Sequence, residues 1–121
     1  KKGVGLSIFA PGAMAEYKRC TTPAQIHGVC EDYRATVTVD FEMDKADFGT
    51  RRIACPVLVL WGSNSHCGRH FDPLKLWSDW ADDLRGFAVP TGHYPAEDRP
   101  DLVFPALDAF FAGREPEAVV A

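Results

Sequence analysis

The sequence predicts an α/β fold in which a helical segment precedes a parallel β-α-β-α unit. Three observations carry this expectation. Cys55 to Gly62 is an unbroken apolar run, the composition of a strand covered on both faces in a parallel sheet. A second short apolar run, Phe87 to Val89, follows after a helix-length stretch, the kind of crossover that parallel strands require. Upstream, apolar residues instead recur at steps of three and four, the period of a helix.

Taken in order, the first twelve residues hold three glycines and one proline without periodicity and read as a loop. Helical signals run from Ala13 to Cys20. Thr22 then offers an N-cap, Pro23 the first helical position, and Gln25, three residues after Thr22, completes a capping box. The helix that follows has its apolar face at Ile26, Val29, Cys30, Tyr33, Val37 and Phe41, with a β-branched far end at Thr36 to Val39 that is expected to fray. Glu42 to Arg52 is charged and polar and reads as a linker, so the chain is divided into residues 1–50 and 51–121.

In the second part, the strand ending at Gly62 is followed by a polar loop from Ser63 to Phe71. Asp72-Pro73 opens a helix with apolar positions Leu74, Trp77, Ala81 and Leu84, which Gly86 would end. Phe87 to Pro90 is the second strand, with proline tolerated at its end. Pro100 to Ala112 forms the closing helix on the stripe Val103, Leu107, Phe110 and Phe111. Gly113 is its C-cap, Pro105 is expected to bend it, and the last eight residues should fray.

Composition narrows the function classes. With 121 residues, 46% hydrophobic and 25% charged, the chain suits one modest globular core. A net charge of −4, with no basic stripe, speaks against nucleic acid and against an anionic membrane surface. No apolar run approaches a membrane span and the start is too short in apolar residues for a signal peptide, so the reading is cytoplasmic. Cys20, Cys30, Cys55 and Cys67 fall singly and are expected to be buried, reduced thiols. His66, Cys67 and His70 are zinc-ligand types, but within one loop they lack paired spacing, and no metal site is assigned. Ser63 and Ser65 lack a nucleophile-elbow setting.

The candidate base is His93. It stands in Thr91-Gly92-His93-Tyr94-Pro95-Ala96-Glu97, after the second strand, where reacting groups of open α/β sheets sit. An imidazole there can take a proton from water or a nucleophile near neutral pH. On spacing alone, an ordinary surface histidine is the competing reading.

Together, Cys55 to Gly62, then Gly92-His93-Tyr94-Pro95-Ala96-Glu97 with Arg99-Pro100, resemble the last two strand-helix units of the α/β-hydrolase fold, whose final catalytic residue is a histidine after the last strand. Ala15 to Cys20, Ile26-His27, Cys30 to Ala35 and Val39-Asp40 resemble the cap helices of haloacetate dehalogenases, including fluoroacetate dehalogenases. Gly68-Arg69 and Phe71-Asp72-Pro73 resemble that group's loop after the penultimate strand. The resemblance implies the C-terminal portion of an α/β-hydrolase: the end of a helical cap, then two core units.

It further implies cleavage of a carbon–halogen bond in a small halogenated carboxylic acid through an aspartyl ester. His93 would be the water-activating base, and Tyr33 a halide ligand through its hydroxyl. Tyr33 also lies on the apolar stripe, so a packed core tyrosine remains the alternative. Asp32 and Arg34 suit surface or cap-to-core ion pairs, and Trp61 suits packing beneath the site. No cofactor is implied. The nucleophile, the acid and the carboxylate clamp belong to segments outside this sequence. The alternatives are an epoxide hydrolase or other α/β-hydrolase fragment, or an inactive folding or interaction module. Two strands with one helical layer leave apolar surface open, so self-association is expected.

Overall fold

The computed structural model describes residues 5–117. Expectations that fall on residues 1–4 and 118–121 lie outside the described residues. The chain divides after Thr50 into two compact units.

The first unit is helical. α1 spans Pro11–Cys20, α2 Pro23–Thr36 and α3 Val39–Asp47. α2 starts as its capping residues dictate: the Thr22 hydroxyl accepts from the Gln25 amide at 3.2 Å, and Pro23 occupies the first turn, where no donor is lost. Its stripe does not continue unbroken to Phe41. The hydroxyl of Thr36 donates to the Asp32 carbonyl (3.0 Å), and that of Thr38 donates to the Arg34 carbonyl (2.8 Å). Such back-bonding by short polar side chains competes with helix continuation. Thr38 leaves helical geometry at φ −129°, ψ −99°, and α3 begins at the next residue.

Two corrections follow. The charged stretch from Glu42 is not a linker throughout, because α3 holds it helical as far as Asp47. The stripe residues Ile26, Val29, Tyr33, Val37 and Phe41 are all exposed, since no buried residue occurs in any of the three helices. Periodicity found a helix face here, not a core.

The second unit is the α/β part. β1 (Val57–Gly62) and β2 (Leu84–Val89) pair in parallel, in register from Val57 opposite Leu84 to Gly62 opposite Val89. Between them lie α4 (His66–His70) and α5 (Pro73–Trp77); α6 (Pro95–Asp98) and α7 (Pro100–Phe111) follow. The polar loop after β1 therefore contains a helical turn, and the crossover helix is shorter than its apolar spacing predicts.

That shortening has a cause distant in sequence. The Arg52 guanidinium donates to the carbonyls of Ser78 (2.9 Å), Asp79 (2.9 Å) and Ala81 (2.8 Å) and to the Asp82 carboxylate (2.5 Å). The Ile53 amide donates to the Trp80 carbonyl at 2.7 Å. Carbonyls that would propagate α5 are thus held by residues before β1, and Leu84 and Gly86 enter β2 instead of a helix.

The core is built from small residues: Ala81, Val89, Val103, Ala106 and Ala109. β1 is half-buried along most of its length, not covered on both faces. α7 buries Val103, Ala106 and Ala109, while Phe111, expected on the stripe, is 80% exposed. A face stepping 103, 106, 109 turns position 111 away from the sheet. The helix continues through Pro105 and ends in a Schellman arrangement. Arg114 N donates to Ala109 O (2.8 Å), Gly113 N donates to Phe110 O (3.0 Å), and Gly113 adopts φ 68°. All four cysteines are free, as expected, but exposed and not buried; three of them lie outside the small core's elements, and Cys55 precedes β1.

Arg52→Ala should destabilise the second unit by about 1–3 kcal/mol, because it leaves several acceptors without their charged donor. Urea unfolding measures this, and an unchanged midpoint would refute the assignment of Arg52 as the clamp of the crossover.

Candidate active site

Parallel strands expose their final carbonyls at one edge of the sheet, and here the two strand ends are tied together. Ser63 N donates to Val89 O at 2.8 Å, extending the ladder by one residue, and Asn64 N donates to Thr91 O at 2.9 Å. Ser65 N turns back to Gly62 O at 3.0 Å. Thr91 is 2% exposed, and its amide donates to Val89 O at 2.7 Å.

Gly62 makes this closure possible. A Cβ at that position would lie 1.7 Å from the Gly92 carbonyl oxygen and 2.7 Å from that of Thr91. Only a residue without a side chain lets the end of β1 approach the loop after β2 so closely. The next residue beyond that contact is His93.

His93 is exposed, and its ring meets Tyr94 edge-on with centroids 4.9 Å apart. Among the described residues nothing hydrogen-bonds the imidazole. Tyr94 precedes α6, whose amides of Glu97 (3.1 Å) and Asp98 (3.0 Å) donate back to the Tyr94 carbonyl. The histidine is therefore bracketed by a fixed strand end on one side and a helical turn on the other. It can accept a proton from a bound water, and a carboxylate to orient its second nitrogen is not among its contacts.

Farther along, Arg99 chelates Asp101 in the first turn of α7, with Nε–Oδ1 at 2.9 Å and Nη2–Oδ2 at 2.7 Å. The hydrogen bond from Arg99 holds the Asp101 carboxyl below its ordinary value, and the same bond raises the guanidinium. This pair stabilises the corner between α6 and α7, beyond the histidine loop.

Tyr33 lies on α2 in the first unit and is 75% exposed, so it is not a packed core tyrosine within that unit. Arg34 pairs with Glu31 on the same helix. Trp61 is half-buried in β1, in register with Ala88. His66, Cys67 and His70 fall on α4, and among the described residues no three ligand-type side chains converge on a metal position. Two positions that shape the site escape the sequence reading: Ser65, whose buried hydroxyl caps α4 by accepting from Gly68 N at 3.0 Å, and Thr91. The Ser65 cap was discernible only as a serine three residues before Gly68 in a polar stretch.

Comparison with known proteins fits this arrangement. The chain is 39% identical over 98 residues to a fluoroacetate dehalogenase from Burkholderia sp., covering 80% of this chain and 32% of that protein. It is 30% identical over 109 residues to a soluble epoxide hydrolase from Corynebacterium sp. (strain C12), covering 88% and 36%. A crystal structure from Salmonella enterica, provisionally assigned as an acyltransferase, superposes with a TM-score of 0.81 at 36% identity, over 88% of this chain and 36% of that one. The chain has the fold of the C-terminal part of an α/β-hydrolase.

A variant of a protein from Pseudomonas aeruginosa, provisionally assigned as an epoxide hydrolase, superposes at 41% identity with a TM-score of 0.77, again over 88% and 36%. No protein-family model matches the sequence. The chain spans about a third of the length of the relatives it matches and corresponds to their C-terminal part. Among the described residues, no helix is long and apolar enough to cross a membrane.

Gly62→Ala should force the histidine loop off the strand end and cost about 1–3 kcal/mol, the usual penalty of overpacking. Denaturant unfolding, together with the His93 ring resonances, reads both effects. Unshifted resonances and an unchanged midpoint would show that the loop does not depend on this contact.

Proposed function

We propose that this chain supplies the water-activating base, His93, and a halide ligand, Tyr33, to a hydrolase of the haloacetate dehalogenase type. The single observation that carries the reading is the fixed position of His93 on the loop beyond the last parallel strand. The 39% identity to a fluoroacetate dehalogenase supports the choice of substrate class.

In the proposed reaction a carboxylate, contributed by the remainder of the hydrolase fold, attacks the carbon that bears the halogen. The carbon–halogen bond breaks, and its electron pair leaves with the halide, which the Tyr33 hydroxyl steadies by donating a hydrogen bond. His93 then takes a proton from water as the water oxygen adds to the ester carbonyl carbon. Collapse of that adduct breaks the acyl–oxygen bond and leaves a carboxylic acid, which releases the second water proton to solvent and so regenerates the carboxylate. The departing alkoxide recovers the proton from the imidazolium and leaves as a 2-hydroxy acid. Only the second half of this sequence needs His93.

An epoxide hydrolase is the second reading, favoured by the 30% identity to the Corynebacterium enzyme. Ring opening by a carboxylate also gives an ester that a histidine-activated water can cleave. The two readings therefore share His93 and differ in the substrate.

A chimera separates them. Residues 51–113 would replace the matching segment of the Burkholderia fluoroacetate dehalogenase, and fluoride release would be measured beside opening of a simple epoxide. The dehalogenase reading expects fluoride release in the chimera. In a His93→Ala version it expects turnover to fall by roughly a thousandfold or more, with a covalent ester visible as added mass, as for loss of an essential base. A folded His93→Ala chimera that turns over at the parent rate would sink the role of His93, and epoxide opening without fluoride release would favour the second reading.

A further inference from the structure

We propose that α4 carries a two-imidazole binding site for a borderline divalent transition-metal ion, formed by His66 and His70. The inference is independent of the proposed hydrolytic reaction. Read as a loop, residues 63–71 offer no chelate. Folded as α4, they place the two histidines four residues apart, on one face of a helical turn. Two histidines at that spacing are a recurrent metal-binding pair in helices.

The ring geometry suits such an ion. Metal–imidazole bonds of about 2.0–2.1 Å put each ring centroid roughly 3.2 Å from the metal, so two rings in cis positions at a right angle have centroids roughly 4.5 Å apart. The rings of His66 and His70 are 4.5 Å apart, centroid to centroid, and tilted by 43°. Cis coordination at a right angle is the preference of tetragonal Ni(II) and Cu(II).

The turn that carries the pair is also fixed before any ion arrives. The buried Ser65 hydroxyl caps the turn at Gly68 N, the Arg69 amide donates to Ser65 O at 3.2 Å, and the Phe71 amide donates to Cys67 O at 3.0 Å. Gly68 is seated against β1, where a Cβ would lie 2.4 Å from the Gly62 carbonyl oxygen. The His66 ring additionally meets Phe71 edge-on at 6.0 Å. Preorganisation of this kind lowers the ordering cost of binding. Since no third ligand-type side chain converges among the described residues, water completes the coordination.

Calorimetric titration of Ni(II) into the reduced chain near neutral pH tests the site, with far-ultraviolet circular dichroism to verify folding. The parent chain should bind one equivalent. His66→Asn and His70→Asn should each weaken binding by at least about tenfold. Cys67→Ser and His27→Asn should bind as the parent does. Glutamine replacements at 66 and 70 repeat the measurement should an asparagine variant unfold. Absence of binding in the parent, undiminished binding in either histidine variant, or an equal loss in Cys67→Ser or His27→Asn would overturn the proposal.

Discussion

The second unit depends on one close approach: the end of β1 at Gly62 pressed against the backbone of Thr91 and Gly92. Sheet pairing brings Gly62 opposite Val89, but pairing alone would leave the following loops free to diverge. The missing side chain lets the two loops close, and the amides of Ser63 and Asn64 then fasten them to Val89 and Thr91. Three consequences meet there: His93 leaves the sheet at a defined point, Thr91 is buried, and α4 is anchored through Gly68 and Ser65 to the same strand end. A small core of alanines and valines can support this precision because the hydrogen bonds, not bulk, set the position of the loop.

The loop position of His93 was more legible in the sequence than the packing. Gly92-His93 after a short apolar run placed the candidate base correctly on the loop beyond β2, since strand order and loop position follow from the apolar runs alone. Thr22-Pro23 marked the start of α2, and Gly113 the end of α7, because caps are local chemistry. The length of the crossover helix was not legible. It is decided by Arg52, some thirty residues away, which captures carbonyls at 78, 79 and 81. Nor could periodicity say which faces would be covered. The α2 stripe has the spacing of a buried face yet stays exposed, and α7 buries alanines while Phe111 faces outward. Burial depends on what an apolar face meets, and spacing carries no information about that.

The same distinction separates what a shared fold establishes from what chemistry requires. The α/β-hydrolase assignment rests on relatives and on superposition over most of this chain. The matched segment makes up about a third of the first of those relatives, and among the described residues nothing hydrogen-bonds the imidazole of His93. The structure thus places an exposed imidazole at a defined point beyond the last strand. Tyr33 is exposed on α2, in a unit whose helices contribute no buried residue.

Amide hydrogen exchange at Ser63 and Asn64 tests the strand-end closure most directly. Both amides should exchange as slowly as those within β1, because they donate to Val89 and Thr91 across the sheet edge. Exchange at the rate of an open loop, with β1 itself protected, would contradict the claim that this contact fixes His93.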